Sequence, residues 1–214
     1  MTAMAEDRAR ALHLLQADAD LTRRLDIYVA LLARWSAVTN LTSKTTMPHV
    51  WSRHVADSGQ LRGYAQDARL WLDLGTGAGF PGLVIALQLA TVVGAKVHLV
   101  ESDQRKCAFL REVTRETSAP AQVHAARIQS DEVVGLMQID AVTARALAPL
   151  SQILRFANVW LSRGATGVFP CGRAQDDQIL TFLNNPTLKV ETFASLVDPR
   201  SQIIRVRDAG SGSP

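Results

Sequence analysis

Ten residues, Asp73-Leu74-Gly75-Thr76-Gly77-Ala78-Gly79-Phe80-Pro81-Gly82, constrain this chain more than any other stretch. They follow directly on the strand-like run Leu70-Trp71-Leu72 and precede an apolar segment of helix length, Leu83–Ala90. Glycines at such a handover let the backbone turn sharply and approach a ligand closely. The helix start that follows offers unpaired N–H groups and the positive end of a dipole. Pro81 suits an early helical position.

The rest of the chain agrees with an α/β reading. Leu21, Leu25, Tyr28, Leu32 and Trp35 lie on one face of an amphipathic helix. Asn40-Leu41-Thr42 is a break, and a further helix is expected over about 48–61, with Pro48 in its first turn. Beyond Gln66, strand candidates at Val97–Val100, Gln122–Ala125, Ile139–Thr143, Gly167–Phe169, Lys189–Phe193 and Gln202–Val206 follow the first one. Helix-length segments at Gln104–Glu116 and Leu150–Leu161 lie between the early ones. That alternation predicts a parallel sheet covered on both faces. The expected organisation is a helical N-terminal extension over 1–66, a sheet domain over 67–208 and a flexible tail over 209–214.

Gly77, Gly79 and Gly82 fit G-x-G-x-x-G, and Glu101 stands 22 residues after Gly79, at the end of the second strand. A carboxylate there can accept from both hydroxyls of a ribose. A nicotinamide dinucleotide and S-adenosylmethionine both fit this pattern. Asp73 beside the loop favours the second, because an anion opposes a pyrophosphate but suits an ammonium or a sulfonium. A glycine turn without a ligand is the structural alternative.

Composition sets outer bounds. The 214 residues carry 23 Lys and Arg against 20 Asp and Glu, a net charge of +3 that permits a polyanionic partner without requiring one. Cys107 and Cys171 have neither zinc-ligand nor disulfide-framework spacing, so no metal is expected. No signal peptide and no membrane-spanning run is read, so a cytoplasmic protein is the default. Nothing in the sequence encodes the oligomeric state, and a monomer is the working expectation. From Ala141 to Gln175 there are four arginines, Arg145, Arg155, Arg163 and Arg173, and no acid, which favours an RNA partner. Trp35, Trp51, Trp71 and Trp160 are expected mostly in the core.

Taken with Trp35–Thr42, Arg53-His54-Val55-Ala56-Asp57-Ser58, Glu101-Ser102, Arg105-Lys106, Phe109-Leu110-Arg111 and Ala144-Arg145-Ala146, the glycine string makes the chain resemble a known family. This is the bacterial small-subunit ribosomal RNA guanine-N7 methyltransferase family, also called RsmG or GidB. The resemblance implies a class I methyltransferase fold, Rossmann-like, with a seven-stranded, mostly parallel sheet and an N-terminal helical extension. It implies methyl transfer from S-adenosylmethionine to N7 of a guanine in the 530 loop of 16S ribosomal RNA, on naked RNA or the small subunit. The cofactor residues it implies are Asp73, Gly75, Gly77, Gly79, Phe80, Glu101, Ser102, Ile128, Gln129 and Arg145.

Guanine N7 has an exposed lone pair, so its methylation needs no general base. The enzyme's work is alignment and exclusion of water. Asn40, Arg53, His54, Asp57, Ser58 and Arg145 are the positioning candidates, with structural hydrogen bonding as their alternative role. Two positions depart from the family: Gln129 stands where an acid is common, and Cys171 where a Lys is common. Arg173 is the candidate to supply that missing charge to RNA, alongside Arg53. Three other activities stay open: a cytosine-C5 methyltransferase with Cys171 as nucleophile, a small nicotinamide-dependent oxidoreductase, and a cofactor-sensing RNA-binding protein without turnover.

Overall fold

A computed structural model describes residues 2–43, 45–172 and 187–211. Helices α1 (Ala3–Leu14) and α2 (Ala19–Ser36) come first. Asp18 caps α2 by accepting from the Leu21 N–H at 2.8 Å. The face read from sequence is the buried one, with Leu25, Tyr28 and Leu32 at zero exposure. Trp35 closes that face, and its indole donates to Glu112 at 2.8 Å.

The expected single helix over about 48–61 is broken into four segments of three windings instead. A 3₁₀ turn at Met47–His49 leads into a π-helix at Trp51–Ala56, then α3 (Asp57–Gly59) and a second 3₁₀ stretch at Gln60–Tyr64. Outside partners explain the widened turn. The Ser52 N–H donates to Asp7 at 3.2 Å, and the Arg53 carbonyl accepts from Arg145 at 3.2 Å. Backbone groups held this way are drawn out of the regular ladder.

Strand β1 (Leu70–Leu74) enters the glycine loop and α4 (Gly82–Gln88) leaves it. There follow β2 (Lys96–Glu101), α5 (Gln104–Thr117), β3 (Ala121–Ala125), α6 (Asp131–Val134), β4 (Ala141–Thr143) and α7 (Leu150–Leu161). The chain then forms β5 (Thr166–Gly172), β6 (Leu188–Ala194) and β7 (Ser201–Asp208). The sheet order is β3-β2-β1-β4-β5-β7-β6. The pairings among β1 to β5 are parallel, while β7 runs antiparallel between β5 and β6. The seven-stranded, mostly parallel sheet is thus present. Ala209–Ser211 form a 3₁₀ turn where a flexible tail is expected, tied by the Ala209 N–H to the Thr187 carbonyl at 2.9 Å.

Alternation along the strands builds two cores. Trp71, Val97 and Leu99 pack with Leu25, Leu83 and Phe109 on one face. Leu72, Leu74, Val100 and Val142 pack with Val133, Leu150 and Trp160 on the other. A sheet buried on both sides explains why β1 lacks a polar face. Trp51, Trp71 and Trp160 are all buried, as expected. The order reverses between β2-β1 and β4, and a doubly wound sheet opens its crevice at the carboxyl ends there.

Candidate functional site

A cavity of about 740 Å³ lies at that reversal point. Gly75, Gly77, Phe80, Glu101, Ser102, Ile128, Gln129, Arg145 and His54 line it, which brings together most of the residues expected from sequence.

The loop is pinned from below. Gly75, Gly77 and Gly79 all have positive φ. A Cβ on Gly77 would meet nothing nearer than the Gly75 carbonyl at 3.9 Å, so this edge of the loop is open to a ligand. At Gly79 the space is filled instead, since a Cβ would stand 2.9 Å from the Tyr28 hydroxyl oxygen. That hydroxyl donates to the Ala78 carbonyl at 2.6 Å. The Thr76 N–H donates to the Val100 carbonyl at 3.0 Å and ties the loop to β2.

Asp73 is not at the ligand surface. It is fully buried, and its Oδ2 accepts from the Gly82 N–H at 2.8 Å. It therefore braces the start of α4 from within the sheet. Strand alternation turns it toward Leu99 and Gly82 rather than into the cavity. Burial raises its pKa to about 6, against the opposing effects of Thr76 and the Gly82 N–H. The Phe80–Pro81 peptide is cis, with Pro81 capping α4 rather than lying inside it.

Glu101 ends β2 with both carboxylate oxygens engaged. Oε2 accepts from the Gly77 N–H at 3.0 Å and Oε1 from the Asp103 N–H at 2.9 Å. Each oxygen keeps a second lone pair for a hydroxyl. Ala126, Ile128 and Gln129 form the wall beyond it. That wall is anchored by a relay: His98 Nδ1 to His124 Nε2 at 2.9 Å, and His124 Nδ1 to Glu132 of α6 at 2.7 Å.

At the other end, Arg145 follows β4. It donates to the Arg53 carbonyl at 3.2 Å, to Asp57 at 3.4 Å and to His54 Nδ1 at 2.8 Å. Its guanidinium lies 5.0 Å from the Phe80 ring centroid, and His54 stacks on the same ring at 4.8 Å. Burial, then the charges of Arg145 and Arg53, lowers the His54 pKa to about 3. Burial raises that of Asp57, against the effect of Arg145. His54 is consequently a neutral imidazole.

Four positioning candidates lie away from this cavity. Asn40 is exposed and does not line it, although its neighbours Leu41, Thr42 and Ser43 do. Arg53 and Asp57 face a second cavity behind His54. Ser58 is fully buried, and its hydroxyl has no partner among the described residues. Arg173 lies outside the described residues. Cys171 pairs with Gln202 between β5 and β7 and does not line the cavity. Sequence reasoning missed the roles of Tyr28, Leu147 and Gln152; the last two lie just past Arg145 and line the cavity. Lys106, part of the Arg105-Lys106 pair, also lines it, and that pair was the available signal. No helix among the described residues is long and apolar enough to cross a membrane. The described residues also hold no group of three His, Cys, Asp or Glu placed for a metal ion.

Solved structures share the fold. An S-adenosylhomocysteine-bound methyltransferase of Podospora anserina aligns with a TM-score of 0.60 at 10% identity, over 90% of this chain and 88% of that one. An rRNA methylase of Streptococcus thermophilus aligns at 0.51 and 11% identity, over 71% and 93%. Sequence relatives are much nearer. The ribosomal RNA small subunit methyltransferase G of Bradyrhizobium sp. (strain BTAi1) is 49% identical, over 95% of this chain and 91% of the relative. That of Methylobacterium sp. (strain 4-46) is 41% identical, over 97% and 98%. The GidB family profile, described as rRNA small subunit methyltransferase G, matches residues 21–204, and with that match the chain belongs to this family.

Proposed function

We propose that this protein transfers the methyl group of S-adenosylmethionine to N7 of a guanine in the 530 loop of 16S ribosomal RNA, in the cytoplasm. The observation that carries the reading is the pairing of two unlike ends in one cavity. One end has the Glu101 carboxylate beside the open edge of Gly77; the other has Arg145 and neutral His54 stacked on Phe80.

The residues present fit the cofactor. Gly77 leaves open space above the loop, Glu101 has acceptor capacity for ribose hydroxyls, and Ile128 and Gln129 offer a wall for adenine. When bound, S-adenosylmethionine supplies an electrophilic methyl group on a sulfonium. The chain's own part is to orient and to exclude water. Arg145 cannot act as a base, and its hydrogen bond occupies the Nδ1 lone pair of His54. His54 keeps its proton on Nε2 and is a donor, suited to an acceptor such as guanine O6. Asp57 is engaged by Arg145 and by the Gln60 amide. An end of the site with donors and, among the described residues, no free base suits an acceptor atom that already carries a lone pair.

The cytosine-C5 alternative is disfavoured, because Cys171 does not line the cavity. The test is methyl transfer from labelled cofactor to unmodified small ribosomal subunits, with N7-methylguanine mapped by chemical strand cleavage. Label at a single 530-loop guanine is expected. Label at a cytosine, or none despite cofactor binding, would sink the reading.

A further inference from the structure

Behind His54 lies a second cavity, of about 630 Å³. Three segments distant in sequence build it: Arg10 and Leu14 of α1, Thr46 to Asp57 of the mixed helix, and Leu196 to Ser201 between β6 and β7. His54 and Thr46 line both cavities, so the two share part of a wall.

The walls are cross-braced. The Ser52 N–H donates to Asp7, which holds the mixed helix to α1. The buried Gln60 side chain donates to Ser195 Oγ at 3.1 Å and accepts from the Leu196 N–H at 2.9 Å. Ser195 Oγ also accepts from the Val197 N–H at 3.1 Å. A turn held by this many bonds gives the cavity a fixed outline.

The charge balance favours an anion. Asp198 is matched by Arg200, through contacts of 3.0 and 2.9 Å. Asp57 is matched by Arg145. Arg10 and Arg53 are exposed at the rim and make no ion pair among the described residues. The hydroxyls of Thr46 and Ser201 add polar groups, and no Trp, Tyr or Phe among the described residues lines the cavity. The one aromatic ring among the described lining residues, His54, is stacked on Phe80, and guanidinium and hydroxyl groups suit a phosphate rather than a base.

We propose that this second cavity seats the RNA backbone, with Arg10 and Arg53 contacting a phosphodiester next to the target nucleotide while the base enters the cofactor cavity past His54. This rests on the ribosomal RNA methyltransferase reading above. Arg10, on the first helix, then belongs to the substrate surface and sets RNA affinity rather than chemistry.

The test uses the full chain with a labelled RNA hairpin carrying the 530-loop sequence, titrated over a range of salt, together with steady-state methyl transfer. Arg10→Ala and Arg53→Ala are each expected to raise the RNA Kd and KM about tenfold. Each should lower the slope of log K against log salt by about 0.7. Cofactor Kd and the thermal midpoint should stay at the wild-type values, and Arg10→Lys should recover most of the affinity. Unchanged RNA affinity and salt slope in both alanine variants, with an active wild type, would overturn the backbone seat alone. So would a loss of cofactor affinity in step with RNA affinity. A wild-type chain that neither binds nor methylates the RNA or the subunit would overturn the functional reading, and this proposal with it.

Discussion

Arg145 donates to His54 Nδ1 at 2.8 Å, and that bond decides what the imidazole can do. A guanidinium only donates, so Nδ1 must be the acceptor and the remaining proton sits on Nε2. The same guanidinium ties β4 to the mixed helix through Asp57 and the Arg53 carbonyl. One side chain therefore joins the carboxyl end of β4 to the N-terminal helices.

Removing that side chain should cost stability as well as activity. Arg145→Ala leaves the mostly buried Asp57 carboxylate without its cation, a loss of about 3 kcal/mol for a pair of this kind. The thermal midpoint is expected to fall. Adding Asp57→Asn to the same chain should recover part of it, because the stranded charge is gone. Equal destabilisation in single and double variants would show that the pair is not the cause.

His54 should not titrate in the working pH range. With a pKa of about 3 in the folded protein it is neutral from about pH 4 upward. The imidazole C–H resonances of His54, followed by NMR, are expected to stay flat between pH 5 and pH 8. A step near pH 6.5 would mean that burial and the neighbouring Arg145 do not hold the ring in the neutral form.

The parts of this site readable in sequence are those made by local spacing. The strand–glycine–helix passage and the acid ending β2 depend on short stretches whose periodicity declares them, and α2 shows its buried face the same way. The parts that are not readable depend on partners far along the chain. The π-helix at Trp51–Ala56 is opened by Asp7 and by Arg145, 45 and 92 residues away from the groups they hold. Tyr28 supports the glycine loop from 50 residues upstream of Ala78. Nearness to the glycines suggests a place at the ligand for Asp73. Strand alternation, applied to β1, points it to the opposite side, into the packing around Gly82.

Glu101 is expected to govern cofactor affinity through both of its oxygens. Glu101→Gln replaces one acceptor with a donor that would face either the Gly77 or the Asp103 N–H. Two donors meeting leaves both unsatisfied. Calorimetry should show the S-adenosylmethionine Kd raised about tenfold or more, which is about 1.4 kcal/mol. Unchanged affinity would remove Glu101 from the cofactor site.

Asp73 gives the fold a pH dependence whose sign is opposite to that of a salt-bridged carboxylate. Its pKa is about 6 in the folded chain, against about 3.9 for an unperturbed carboxyl. Between those values the folded state holds a proton that the unfolded state has lost. Folding stability from this group is therefore highest below pH 4 and declines as pH rises toward 6, by about 1.4 kcal/mol for each pH unit crossed. Other carboxylates pull the other way: Glu191 and Asp198 are both held at about 2 by arginines, and their stabilisation is present above pH 4. The Asp73 contribution is isolated by difference. Asp73→Asn keeps an oxygen for the Gly82 N–H but cannot ionise, so denaturant unfolding at pH 4 and pH 6.5 should show the variant gaining on wild type as pH rises. A gap that stays constant between the two pH values would show that Asp73 ionises freely in the fold.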